Sequence, residues 1–178
     1  MPSRDRSSLA PMDVSSRLGR LRDRLGEAGC DALLVTNLRN VRYLTGFTGS
    51  AGMLLVAPDS ALLTTDGRYK EQSAEQLASA GVQAEIAIGR LGEQFEALDR
   101  ASRGLNRLGC EASEVTLALR ETLESSLRLV SSGGRLVPTR GLVEGLRRVK
   151  DAGELARIEL AADIADVALA QVKERLAA

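Results

Sequence analysis

From Asn37 to Gln72 the sequence reads NLRNVRYLTGFTGSAGMLLVAPDSALLTTDGRYKEQ, and few folds accommodate that order of pieces. Gly46, Gly49 and Gly52 recur at every third position. Glycine tolerates positive φ and close backbone approach, so this spacing reads as a shaped loop. Met53–Ala57 and Ala61–Thr65 are apolar runs split by Pro58-Asp59-Ser60, where Pro and Asp supply turn chemistry. They are expected to form a β-hairpin. Thr65 or Asp66 is placed to cap a helix that starts as the second strand ends. A dinucleotide fingerprint would need a helix directly after the glycines. An apolar strand follows them instead, which favours the loop reading.

The flanking segments alternate in type. Val14, Leu18, Leu21, Leu25 and Ala28 fall at helical spacing, with Asp13 as a cap and Gly29 as a stop. Asp31–Thr36 is almost continuously apolar and reads as a buried strand. Asn37 is placed to cap a short helix through Leu44, and Tyr69–Ala80 is a polar helix closed by Gly81. Val82–Ile88 alternates like a half-buried strand, Leu91–Ser102 is helical, and Arg107–Glu111 is a short strand. A helix follows from Ser113 or Glu114 to about Leu127, then a last strand at Arg135–Pro138. Strands alternating with helices imply an α/β fold: a mixed β-sheet of about six strands with helices on both faces. After Gly153 the chain to Ala178 carries no Gly or Pro. It presents Leu155, Ile158, Ala162, Ala165, Leu169, Val172 and Leu176 as a stripe, so a long C-terminal helix closes the sequence.

Composition excludes several classes of function. Lys+Arg and Asp+Glu are both 24, so no basic field collects phosphates, and four aromatic residues give few platforms for bases. No nucleic-acid partner is expected. Histidine is absent, which removes Ser-His-Asp and Cys-His mechanisms and His-containing zinc sites from this chain. Cys30 and Cys110 read as buried, reduced thiols. No apolar run is long enough to span a membrane. Residues 1–12 are polar, lack the apolar core of a secretory signal, and are expected to form a disordered tail. Asp163 and Asp166 stand three residues apart on the last helix; with no histidine beside them they read as a solvated face.

The run Asn40-Val-Arg-Tyr-Leu-Thr-Gly-Phe-Thr-Gly-Ser-Ala-Gly52, then Thr65-Asp-Gly-Arg-Tyr69, resembles the N-terminal domain of Xaa-Pro aminopeptidases of the creatinase/prolidase family. Gly109-Cys110-Glu111 and Leu146–Leu155 (LRRVKDAGEL) extend the resemblance to residues 13–178. It implies a creatinase/prolidase N-terminal-like domain at 13–138, a linker at 139–150, and a first helix of a catalytic domain at 151–178. The parent enzyme would remove an N-terminal residue when proline is second, using two divalent metals, Mn²⁺ by expectation. The family's metal ligands and catalytic histidines map to no residue here, so the chain alone is expected to be inert, with no catalytic or metal-binding residue of its own. Its role would be subunit association in a homo-oligomer, a dimer by expectation, and shaping of a neighbouring subunit's cleft for proline-containing peptides in the cytoplasm.

Within that resemblance Arg68 and Phe47 are the candidates to contact substrate, a guanidinium being suited to a peptide carboxylate or carbonyl. The plainer reading makes Arg68 the ion-pair partner of Asp66 beside a helix cap. Tyr43 reads as a core strut. Arg147, Arg148 and Lys150 suggest charge pairing at a domain junction. The alternative function is a stand-alone, non-catalytic peptide- or protein-binding module of the same fold. The last helix, if left uncovered, is expected to pair with another copy or to fold back on its own domain.

Overall fold

A computed structural model describes residues 9–176. These fall into two compact units, Val14–Arg147 and a second unit formed by the residues on either side of it. The expectation for residues 1–12 lies mostly outside the described residues.

The first unit is a six-stranded mixed sheet in the order β4-β3-β2-β1-β5-β6. Its elements are α1 (Arg17–Leu25), β1 (Ala32–Val35), α2 (Leu38–Thr45), β2 (Met53–Val56), β3 (Ala61–Thr65), α3 (Lys70–Ser79) and β4 (Glu85–Ile88). There follow α4 (Leu91–Ala101), β5 (Arg107–Glu111), α5 (Leu117–Ser126), α6 (Arg128–Ser131), β6 (Arg135–Thr139) and α7 (Leu142–Arg148). β2 pairs antiparallel with β1 and β3, as a hairpin requires; the pairs β1–β5, β3–β4 and β5–β6 are parallel. The C-terminal ends of β1, β3, β4, β5 and β6 therefore share one edge of the sheet, together with the start of β2. Open α/β sheets place ligand-binding groups at such an edge.

Both faces are covered, and strand alternation divides the core between them. Leu33, Val35, Leu54, Val56 and Leu63 pack against Leu18, Leu21 and Leu25 of α1, Val41 and Leu44 of α2, Leu77 of α3 and Val143 and Leu146 of α7. Ala32, Leu34, Leu55, Leu62 and Leu108 pack against Phe95 and Leu98 of α4, Leu123 of α5 and Leu129 of α6. Both cysteines are buried free thiols, and burial pushes each one up from the usual thiol value.

Several boundaries differ from expectation for local reasons. The first helix begins at Arg17 rather than after Asp13, because Val14 O accepts from Arg17 N and starts the winding there. Arg17 is not solvated: its Nη1 donates to Tyr43 O (2.8 Å) and its guanidinium lies 4.0 Å from the centre of the Tyr43 ring. Val82 is core, but the fourth strand is hydrogen-bonded only from Glu85. Thr116 caps α5 through a hydrogen bond from Leu119 N, which delays that helix to Leu117. The stretch expected as a linker, 139–150, contains α7, whose Val143 and Leu146 belong to the core.

The second unit is built around α8 (Ala152–Leu176), the expected long C-terminal helix. Asp151 and Glu154 form its capping box: Glu154 N donates to Asp151 Oδ1 (2.7 Å) and Asp151 N to Glu154 Oε2 (3.1 Å). Pro11 crosses against Gly153, and Arg157 Nη1 reaches Ala10 O (2.7 Å).

Candidate functional site

The glycine loop is rigid because each end is fixed by the backbone and its middle is held from below. Asn37 accepts from Arg39 N and starts α2; Gly46, at φ 77°, stops it by turning its N–H back to Arg42 O. Thr45 Oγ1 donates to Val41 O and accepts from Phe47 N, which turns the Phe47 side chain inward. A methyl group at Gly49 would overlap the Phe47 ring, so the loop can close over that ring only with glycine there. A Cβ at Gly52 would stand 3.0 Å from Thr64 O, so glycine also lets the loop enter β2 against β3.

Side chains then tie the loop to the neighbouring elements. Thr48 N donates to Gln76 Oε1 (2.8 Å), and Thr48 Oγ1 accepts from Gln72 Nε2 and Gln76 Nε2. Ser50 Oγ and Tyr69 Oη are 2.7 Å apart, and Thr65 Oγ1 donates to Ala51 O (2.6 Å). The hydrogen bond with Ser50 draws the Tyr69 phenol below its usual value. Gln72, Gln76, Thr48 and Ser50 were not singled out from sequence. The available signal was Gln72 and Gln76 at i, i+4 on one face of a helix beside the loop.

Asp66 organises the exit from β3. It accepts from Arg68 N (3.0 Å) and pairs bidentately with the Arg68 guanidinium, at 3.0 Å to Nε and 2.9 Å to Nη2. The Arg68 hydrogen bond holds the Asp66 carboxyl below its ordinary range, so the pair is ionised at neutral pH. The two candidate substrate residues thus differ in access. Arg68 has 68% of its side chain exposed, whereas Phe47 is 1% exposed and offers no surface in this chain. Tyr69 connects them: its ring meets Phe47 edge-on and its centre lies 5.2 Å from the Arg68 guanidinium carbon.

A second polar cluster occupies the other half of the same sheet edge. Glu111, at the end of β5, accepts from Thr36 N, Asn37 N and Asn40 Nδ2. Burial raises its carboxyl above the ordinary value, with the Glu144 charge adding to the rise, while the Asn40, Asn37 and Thr36 hydrogen bonds oppose it. Among the described residues no group of His, Cys, Asp and Glu side chains is arranged to hold a metal ion. The side chains of the described residues therefore do not fit a metal centre. No helix of the described residues is long and apolar enough to cross a membrane.

Residues 17–149 match the model of the Creatinase/Prolidase N-terminal domain. The chain is 38% identical over 156 residues to the peptidase YqhT of Bacillus subtilis, covering 88% of this chain and 42% of that one. It is similar in structure to an Xaa-Pro dipeptidase from Bacillus anthracis, with TM-score 0.80, 32% identity, and coverage of 89% of this chain and 42% of that one. It also resembles the N-terminal domain of the cytoplasmic peptidase PepQ from Mycobacterium tuberculosis, with TM-score 0.65, 38% identity, and coverage of 74% and 98%. The chain therefore spans less than half the length of the first two relatives and nearly all of the third.

Proposed function

The chain belongs to the Creatinase/Prolidase N-terminal domain family, and from that membership we propose that it is the accessory N-terminal domain of an Xaa-Pro peptidase. The observation that carries this reading is the span of the match. An isolated N-terminal domain is covered almost completely, whereas a whole Xaa-Pro dipeptidase is covered over 42%. The parent enzyme removes the residue preceding proline. It works in the cytoplasm with two divalent metals, Mn²⁺ by preference, held by residues outside this chain. The chain by itself does not cleave peptides.

Its contribution is structural and local. It associates with a second subunit in a dimer and presents the loop 46–52 and Arg68 to the neighbouring subunit's cleft. Arg68 is the group that reaches peptide, because it is exposed and its charge is already oriented by Asp66. Phe47 contributes from beneath, by fixing the height and shape of the loop above its ring. A domain exchange tests this. Residues 17–149 replace the corresponding part of the Bacillus anthracis Xaa-Pro dipeptidase, and Xaa-Pro cleavage is measured. The expected result is an active, dimeric chimera; a folded chimera that is dimeric but inactive overturns the reading and favours a stand-alone binding module.

A further inference from the structure

α7 is a helix that cannot hold itself. With seven residues it is far below the length at which an isolated helix persists in water, so tertiary contacts must keep it wound. Val143 and Leu146 supply the apolar part of those contacts. Val143 and Leu146, three residues apart, set which face of α7 meets the sheet. Directional bonds add a polar constraint to that packing, and they converge on one side chain.

That side chain is Asn40 of α2, with 0% exposure. Its Nδ2 donates to Glu111 Oε1 and to Glu144 Oε1, both at 2.6 Å. Its Oδ1 accepts from Arg147 Nη1 at 3.0 Å. The orientation of the amide is dictated by its partners: two carboxylates can only accept, and a guanidinium can only donate. A carboxamide is the group that serves all three. Aspartate would bring a third negative charge and no donor; leucine would leave the carboxylates without their donor.

We propose that Asn40 is the pivot of a latch, closed by Glu111 from β5 and by Glu144 and Arg147 from α7, which sets the rigidity of the helix through which the chain leaves the unit Val14–Arg147. Glu111 anchors the pivot by also accepting from Thr36 N and Asn37 N, so β1, α2 and β5 move as one body. Glu144 and Arg147 lie three residues apart, on one face of α7, and grip the same amide from its two ends. Asn40, Glu144 and Arg147 are positioning residues: they determine how firmly α7 is held in its own unit. The proposal does not depend on the enzymatic reading given above.

Hydrogen–deuterium exchange on the whole chain tests the latch. In Asn40→Asp, amides 143–148 are expected to exchange at least about tenfold faster, while those of β1 and β2 keep their rates. Glu144→Ala removes one arm from a half-buried position and covers the case in which Asn40→Asp does not fold; it is expected to show the same selective loosening to a smaller degree. Selective acceleration in α7 in either variant supports the proposal. Unchanged exchange in α7, or an equal rise across every element, overturns it, because the cluster would then be only part of the general core.

Discussion

The rings of Phe47 and Tyr69 meet edge to face, 5.6 Å apart and at 87°, one beneath the glycine loop and the other at its rim. This contact joins the loop to the turn that carries Arg68. Phe47→Ala removes a fully buried aromatic ring and leaves a void that the tied loop cannot collapse to fill. Such truncations cost roughly 3–5 kcal/mol. Urea unfolding of the variant is expected to show a loss in that range; a loss near that of a surface substitution contradicts the packing described.

Gly49→Ala tests the same region from above. The added methyl meets the Phe47 ring directly, so the loop or the ring must move. Overpacking of this kind costs about 1–3 kcal/mol. The double variant Phe47→Leu/Gly49→Ala has room for the methyl and is expected to be less destabilised than the sum of its parts. Strict additivity would show that ring and glycine do not touch.

Arg68→Ala separates stability from function. The side chain is exposed and its ion pair is solvated, so the unfolding midpoint is expected to stay where it is. In the dipeptidase chimera the same change is expected to lower kcat/KM for an Xaa-Pro peptide by about tenfold, the value of one charge-assisted contact. Unaltered kcat/KM assigns Arg68 to the helix cap alone.

The pH dependence of stability carries the mark of Glu111. Its folded carboxyl is raised above the unfolded value of about 4.3. The folded state therefore holds the proton more tightly, and the associated stability is fully present below the unfolded value and lost as pH rises through the raised one. Glu144 and Arg147, through Asn40, are the charged groups facing it. Glu111→Gln abolishes this titration. The variant is less stable than the native chain throughout, because one acceptor oxygen is lost, but the gap is expected to narrow as pH rises above the unfolded carboxyl value of about 4.3. Paired urea titrations read the gap directly, and a widening gap contradicts the raised carboxyl.

Much of this architecture was legible from residue patterns, and the exceptions have physical causes. The hairpin, the glycine loop and the cap at Asp66 are local features, written in Gly, Pro and Asp within a few positions of one another. The latch was not legible, because Asn40, Glu111, Glu144 and Arg147 lie up to 107 residues apart and only the sheet brings them together. The shelter of Arg17 was not legible either, because the Tyr43 ring and carbonyl that cover it come from another helix. Phe47 was legible as a loop residue, but its burial depends on Gly49, which the spacing of glycines indicated without saying what lay beneath.

The last helix gives a further expectation. On α8 the exposed Leu155, Ile158, Leu169 and Val172 lie on one side, and the exposed Ile164 and Val167 on the other. A helix apolar on two faces is suited to burial between layers rather than to a single surface. Sedimentation is expected to show self-association of the chain that is lost when residues 151–178 are removed, with the unit Val14–Arg147 still folded. A chain that stays monomeric with and without those residues contradicts that role.

The central claim is that this chain supports peptide cleavage without performing it. Release of the first residue from an Xaa-Pro peptide, measured with added Mn²⁺ on the purified chain and on the dipeptidase chimera, tests it most directly. The account predicts activity in the chimera and none in the chain. Metal-dependent cleavage by the pure chain, abolished by chelator, would contradict it.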